Sequence, residues 1–301
     1  MKAIPDGSSK RSFFKHQQRM AYIFIAAPML LFFIFTLIPT ISNIFISFTD
    51  YSVIGDTKFT GLDNYFKLFG DTLFWKYLFN TFKYSILYVP ISFLVSLFSA
   101  IALNKRFRGV SSFRVMFYLP VLSSPVATAS IWLWLLNSQK GIINTMLRSV
   151  GIPAPSWLHD SHYAIYAIIL MSVWAGFGSN MMIFLAGLQG VPEHLYESAR
   201  LDGANKFQEL IYVTLPGIGP TIFFVTTNLI IGAMQMFDQA YNLTQGGPGG
   251  STKTLVYYIY ESGFTNLKMG YGAAMSMILF LIIMFFSIFN IKFNNSSGDL
   301  I

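Results

Sequence analysis

VPEHLYESARLDGANKFQELIYVTLP, residues 191–216, is a polar interval inside a chain that is otherwise mostly apolar. Pro192 fits the first position of a helix, and Glu193 and Glu197 follow in the first turns, where the helix dipole favours negative charge. A short helix is therefore expected to start at Val191–Pro192. Asp202-Gly203 is a turn signal, because glycine accepts the left-handed backbone that ends helices. Asn205, with Gln208 three residues on, has the form of a capping box that opens a second helix. Phe207, Leu210 and Ile211 share one face of that helix until Pro216 halts the pattern. The product is a bent helix pair with an apolar stripe, lying between two membrane spans.

Composition sets the class around it. The 301 residues are 54% hydrophobic and only 11% charged, with 31 Phe, and the mean hydropathy is +0.54. No soluble domain needs that much apolar surface, so the expected fold class is an all-α, polytopic membrane protein. The net charge of +7 reports topology and not a nucleic-acid partner. With no cysteine, disulfides, thiolate catalysis and thiolate metal sites are excluded together.

Met1–Arg19 carries Lys2, Lys10, Arg11, Lys15 and Arg19 against Asp6, and is expected in the cytoplasm. The apolar run from Met20 to about Phe48 is too long for a secretory signal and ends on no small-residue cleavage site. It reads as a first span, softened at Pro28 and Pro39. Tyr51–Lys76 is polar and lies outside by alternation. A second span covers about Phe79–Leu103, followed by the basic loop with Lys105, Arg106, Arg108 and Arg114. The third, about Val115–Leu136, holds Pro120, Ser123, Ser124, Pro125 and Thr128; interrupted helices of this kind are tolerated where they line a protein cavity. Asn137–Ser161 lies outside, with a surface helix in KGIINTMLRSVGIP, and the fourth span is His162–Gln189. A fifth follows at about Gly217–Tyr241, then the outside loop NLTQGGPGGSTKT, then a sixth at about Tyr271–Ile291. Six spans put both termini in the cytoplasm, with a tail at 1–19, a transmembrane domain at 20–293 and a second tail at 294–301. On this topology Arg200, Lys206 and Lys292 join the nine cations of the N-terminal tail and the basic loop on the inside, twelve of 20 Lys and Arg.

Polar groups inside a span are expensive and usually face a cavity or a partner. Ser172, Gly176, Ser179 and Asn180 recur at three and four in the fourth span and share a face; Asn228, Gly232, Gln235 and Met236 do the same in the fifth. With Ser124 of the third span they are the candidate substrate path. The competing role for such small and polar residues is helix packing. Asp238, the only acid within the expected spans, sits near the outer end of the fifth; it is placed at the interface, with pairing to a basic residue of a partner and hydrogen bonding to a sugar as the alternatives. The run Gly246–Thr254 is no phosphate loop, since Thr252 and not Gly precedes Lys253. His16, His159, His162 and His194 have no metal-ligand spacing, and no catalytic constellation can be assembled at membrane depth.

E-S-A-x-x-x-G, nine residues, then V-x-L-P, from Glu197 to Pro216, resembles the cytoplasmic loop motif of the membrane subunits of binding-protein-dependent ABC importers. Ser198 stands where Ala is usual and Val213 where Ile is usual. GLDNY at Gly61–Tyr65, NTFKY at Asn80–Tyr84, LTQGGP at Leu243–Pro248 and YIYESGF at Tyr258–Phe264 resemble phrases of the carbohydrate-uptake, maltose-permease-like branch. The resemblance implies a type I permease fold in a bacterial or archaeal cytoplasmic membrane. It implies that Glu197, Ser198, Ala199, Asp202, Gly203, Ala204, Phe207, Leu215 and Pro216 form a coupling helix docked in a groove of a separate ATPase, in place of an amphipathic helix resting on lipid headgroups. It further implies a second, homologous permease in a heterodimer, an ATPase dimer that holds the ATP and Mg, and a solute-binding protein delivering an oligosaccharide. No cofactor is expected in this chain. A permease for glycerol phosphate esters and a stand-alone secondary carrier or channel remain the alternatives.

Overall fold

The computed structural model describes residues 7–53, 56–105 and 107–298. Residues 1–6, Arg106 and residues 299–301 of the two expected tails and the basic loop lie outside the described residues, as do the side chains of Lys10, Arg11, Lys15 and Arg19. Among the described residues the chain is helical apart from two isolated bridges, Thr49 with Phe59 and Ser52 with Lys268.

Helix α1 (Gly7–Phe32) passes through Pro28 without a break, widens into a π-helical turn at Phe33–Leu37 and resumes as α2 (Ile38–Ser47). The softening thus sits ahead of Pro39 and not at Pro28. A proline ring collides with the carbonyl four residues back, and the wider π turn gives that carbonyl room. From Met20 to Ile46 no residue is buried, an arrangement suited to lipid. After α3 (Asp63–Gly70), α4 (Thr72–Leu103) starts well before the expected Phe79, because Asp71 caps it and accepts from the Leu73 N–H at 2.8 Å.

The third span is two half-helices. Helix α5 (Val110–Tyr118) tightens into a 3-10 turn at Leu119–Leu122, breaks at Ser123–Ser124, and restarts as α6 (Pro125–Leu135) with a bend of 101°. Helix α7 (Ile142–Ser149) confirms the expected surface helix, and α8 (Ala164–Gln189) is the fourth span. The polar interval folds as α9 (Glu193–Leu201), α10 (Lys206–Glu209), a π-helical turn at Leu210–Thr214 and α11 (Leu215–Gly217).

The fifth span departs from expectation. Helix α12 (Gly219–Met234), bent 72° from the segment before it, ends short of Tyr241; the chain breaks at Gln235–Phe237 and turns into α13 (Asp238–Leu243). Helix α14 (Leu255–Tyr260), extended by a π turn at Glu261–Thr265, was not expected at all. Helix α15 (Met269–Gly298) carries the sixth span past Ile291, so the expected tail at 294–301 is helical as far as Gly298. Among the described residues four helices are long and apolar enough to cross a membrane, and six spans result if each bent pair crosses once.

The centre of the bundle is α4, α8 and α12. Leu97, Ala100 and Leu103 of α4 pack with Met181, Phe184 and Leu188 of α8 and Val225 and Leu229 of α12. Ser96 Oγ donates to the Phe177 carbonyl at 3.1 Å across the α4–α8 seam, the close polar contact that membrane helices use in place of a hydrophobic driving force.

At the end of the bundle away from residues 191–216, the glycine-rich loop is tied to the start of α4. Asn80 Nδ2 donates to the carbonyls of Gly250 and Lys253 at 3.0 and 2.9 Å, Lys76 Nζ to that of Gly249 at 2.9 Å, and the Leu255 N–H to Thr81 Oγ1 at 2.9 Å. Lys253 is paired with Glu261 at 2.7 Å. Next to this latch Asp71 accepts from the hydroxyls of Tyr258 and Tyr271, both at 2.7 Å. Burial alone would raise its pKa, but these two bonds and the Leu73 and Phe74 N–H groups outweigh it and hold the carboxyl below its ordinary value.

A carboxyl whose pKa is depressed by folding stabilises the protein above its unfolded pKa, about 3.9, and loses that contribution as pH falls through the folded value. Asp71→Asn is therefore expected to lower the thermal unfolding midpoint of the purified protein by about 2–4 °C at pH 7. The gap to the parent should narrow as pH drops below about 4. An equal deficit at both pH values would show that charge at Asp71 is immaterial.

Candidate functional site

Two regions carry the candidate residues. The first is the hairpin of α9 to α11. Pro192 is the N-cap of α9, with ψ 132°, and Glu193 opens the helix, one position later than expected. The C-terminus is a complete Schellman motif: the Ala204 N–H donates to the Ala199 carbonyl at 2.9 Å and the Gly203 N–H to that of Arg200 at 3.1 Å, with Gly203 at φ +82°. The capping box is present in full. Asn205 Oδ1 accepts from the N–H groups of Phe207 and Gln208, both at 3.0 Å, and Gln208 Oε1 accepts from the Asn205 N–H at 2.8 Å.

Pro216 does not halt the second arm. The π turn at Leu210–Thr214 carries the helix through it to Gly217, and the bend falls at Ile218. This is the device already seen ahead of Pro39.

Two struts join the arms. Arg200 Nε donates to Glu209 Oε1 at 2.9 Å, with Glu209 buried, and the hydroxyls of Tyr196 and Thr214 lie 3.1 Å apart. Neither strut follows a helical period, so no sequence pattern announced them. Three large apolar side chains stand out from the hairpin among polar ones: Leu201 is 89% exposed, Tyr212 75% and Phe207 68%. Glu197, Ser198, Asp202, Gly203 and Pro216 are exposed on the same hairpin, while Ala199, Ala204 and Leu215 are half-buried. At its root Val191 and Ile218 are buried in the α4–α8–α12 core, and the Gly217 backbone packs on the Val191 side chain. Displacement of the hairpin must therefore move α8 and α12.

The second region is a cleft of about 230 Å³ between α4, the broken third span and α8, closed by α13. Ser172 and Gly176 line it, with Tyr88, Ser123, Thr128 and Gln239. Gly176 leaves space that Tyr88 uses: a Cβ there would sit 3.1 Å from the tyrosine hydroxyl oxygen. Tyr88 is in turn stacked on the buried Tyr84, with centroids 5.1 Å apart. Ser124 caps α6 at the break, accepting from the Ala127 N–H at 3.2 Å.

The other candidates scatter. Ser179 Oγ donates to the Gly176 carbonyl at 3.0 Å, and Asn180 is half-buried one residue on. Asn228, Gly232 and Gln235 are exposed, but Gln235 is the C-cap of α12 and not part of a continued helical face. Met236 leaves that face altogether: it is buried in the core, and its carbonyl accepts from Thr254 Oγ1 at 2.6 Å. Sequence periodicity missed Tyr88 and Gln239, although Tyr84 and Tyr88 at a spacing of four were a visible signal for one side of the cleft.

A family model described as "Binding-protein-dependent transport system inner membrane component" matches residues 92–294. The chain is 36% identical over 283 residues to the probable ABC transporter permease protein YesP of Bacillus subtilis, covering 92% of this chain and 91% of the relative. It is 34% identical over 295 residues to the arabinooligosaccharides transport system permease protein AraP of the same organism, covering 96% and 93%. Among solved structures, a chain of the bacterial alginate ABC transporter in complex with alginate pentasaccharide-bound periplasmic protein superimposes with a TM-score of 0.81 at 22% identity, covering 91% of this chain and 93% of that one. At that identity the likeness is one of fold.

Gly203 has open space around its Cα, so a substitution there meets only the cost of holding a left-handed backbone, about 1–2 kcal/mol for a side chain. Because the chain has no cysteine, nitroxides placed through cysteines at the exposed Leu195 and Tyr212 would be unique labels. Their distance distribution by pulsed electron resonance is expected to be narrow in the parent and broad in Gly203→Val. A distribution that stays narrow in the variant would show that the bend does not depend on glycine.

Proposed function

The chain belongs to the binding-protein-dependent transport system inner membrane component family, and from that premise we propose that it is the permease subunit of an ATP-driven importer for a neutral sugar, an oligosaccharide. ATP is hydrolysed on a separate ATPase dimer, where the Mg also resides. A second, homologous permease completes the path, and a solute-binding protein delivers the sugar. The protein is a multi-pass component of the cytoplasmic membrane.

The observation that carries this proposal is the hairpin of residues 191–216. It is internally braced, exposes three large apolar side chains, and is rooted in the same α8 that lines the cleft. A braced helix with such side chains suits a groove on another protein. In this scheme closure of the ATPase pushes the hairpin, α8 and α12 shift with it, and the cleft changes the side to which it opens. A stand-alone carrier would leave Leu201, Phe207 and Tyr212 uncovered at a surface with no mechanical role.

The cleft supports a neutral substrate. Its polar lining is hydroxyl and amide only, with Tyr88, Ser123, Thr128, Ser172 and Gln239 and no charged side chain. A glycerol phosphate ester calls for Arg or Lys against the phosphate. Sugar hydroxyls are satisfied by the groups present, and the oligosaccharide named for the AraP relative agrees with that choice.

Two experiments follow. Gly203→Val and Glu197→Lys permeases, expressed with the cognate ATPase, are expected to lose most of the co-purifying ATPase and of the sugar uptake; full retention of both in both variants would remove the coupling role. Gln239→Leu and Thr128→Val, which remove polar groups from the cleft lining, are expected to weaken sugar uptake about ten- to a hundredfold, the effect of about 1–3 kcal/mol of lost hydrogen bonding, with the ATPase still co-purifying. Unchanged uptake in both would return these two residues to helix packing.

A further inference from the structure

Beside the break that ends α12, five aromatic rings form one connected cluster. Phe237 lies 5.1 Å from Tyr241 and 5.1 Å from Tyr260, centroid to centroid, and Tyr260 lies 5.5 Å from Phe264. Two of these contacts, Phe237–Tyr241 and Tyr260–Phe264, are stacked with 28° between ring planes. Tyr257 forms the buried layer beneath, 5.6 Å from Phe237 and 5.9 Å from Tyr241. Lys253 Nζ, already bonded to Glu261, sits 5.4 Å from the Tyr257 centroid and closes that layer from behind. The upper layer stays open: Tyr241 is 41% and Phe264 64% exposed.

Polar groups rim this surface. Gln235 and Asp238 are exposed at the same break. Among the described residues the Asp238 carboxylate accepts no hydrogen bond, since the neighbouring Asn242 amide donates to the Asp238 backbone carbonyl instead, at 2.8 Å. Helix α13 stands between the rings and the cleft: Gln239 lines the cleft, while Asp238 and Tyr241, three apart, share the other side of the helix with the rings.

A sugar ring has an apolar face of C–H groups and an edge of hydroxyls, which is the complement of a fixed aromatic face with acceptors at its rim. A lipid chain would gain nothing from an unpartnered carboxylate and amide. The neighbouring cation, Lys253, is held by Glu261, so Asp238 confronts an arriving ligand as bare negative charge and disfavours a uronic acid. We propose that Phe237, Tyr241, Tyr260 and Phe264, with Gln235 and Asp238, form a stacking subsite for one ring of a neutral oligosaccharide, across α13 from the cleft. The proposal rests on the sugar-path reading above and adds to it a place and a charge selection.

The test uses the assembled complex in lipid nanodiscs and saturation-transfer NMR titrations with maltotriose and arabinotriose as neutral probes and trigalacturonate as the acidic one. Tyr260→Ala and Phe264→Ala are expected to weaken binding of a neutral trisaccharide about three- to tenfold, and Tyr260→Phe, which keeps the ring, is expected to spare it. Asp238→Asn is expected to strengthen the response to trigalacturonate. Neutral binding that is unchanged in both alanine variants but weakened by Gln239→Leu would overturn the subsite and leave the sugar path intact. Absence of any neutral-sugar response in the parent complex would overturn the path and the subsite together. Loss of the second permease from the purified Tyr260→Ala or Phe264→Ala complex would assign the rings to contact between subunits and would also refute the subsite.

Discussion

Hydrocarbon offers no partner to a backbone N–H or carbonyl, and the shape of this protein follows from how the chain meets that constraint. Where prolines would leave gaps ahead of positions 39 and 216, the helix widens into a π turn and continues. Where it does break, a side chain stands in: Ser124 caps α6, Asp71 caps α4, and Thr254 caps α14 while its own hydroxyl serves the Met236 carbonyl. Each break has one protein surface beside it. The break at Ser123–Ser124 borders the cleft, which is where irregular backbone can be tolerated.

The hairpin at 191–216 meets the opposite requirement, because it has to keep one angle outside the bundle. Its Schellman turn, capping box and two cross-struts satisfy its polar groups locally. None of that satisfaction depends on the partner, so its exposed face is displayed preformed. In the coupling role proposed for it, such a preformed face would lose little conformational entropy on docking, and a rigid hairpin would pass a push on to α8 and α12.

Much of this was legible from residues alone. The span count, the broken third span, the glycine turn and the capping box each rest on local chemistry that a short window contains. The hairpin residues that match the family motif were legible for the same reason. What escaped is long-range or breaks a period. Arg200 and Glu209 meet across a turn, and Asp71 meets Tyr258 and Tyr271 far along the chain. Helical spacing carried Asn228 and Gly232 on to Gln235 and Met236, but the helix stops at Met234, so the last two point elsewhere. Helix α14 was hidden because its aromatic run adjoins a glycine-rich loop and is too short for a hydropathy window to register.

The tie between Asn80 and the glycine-rich loop also bears on how the molecule comes to be built. Asn80 and Thr81 must wait for Gly250, Lys253 and Leu255, residues more than half the chain away in synthesis. Until then α4 can enter the bilayer with the Thr81 hydroxyl held by the Tyr77 carbonyl at 2.9 Å, but the Asn80 amide in its third turn lacks its two carbonyl partners, and closing so long a loop is entropically slow. A chain stalled before Lys253 therefore carries an unmatched amide on its second span, and the glycine-rich loop conceals it once it has been made.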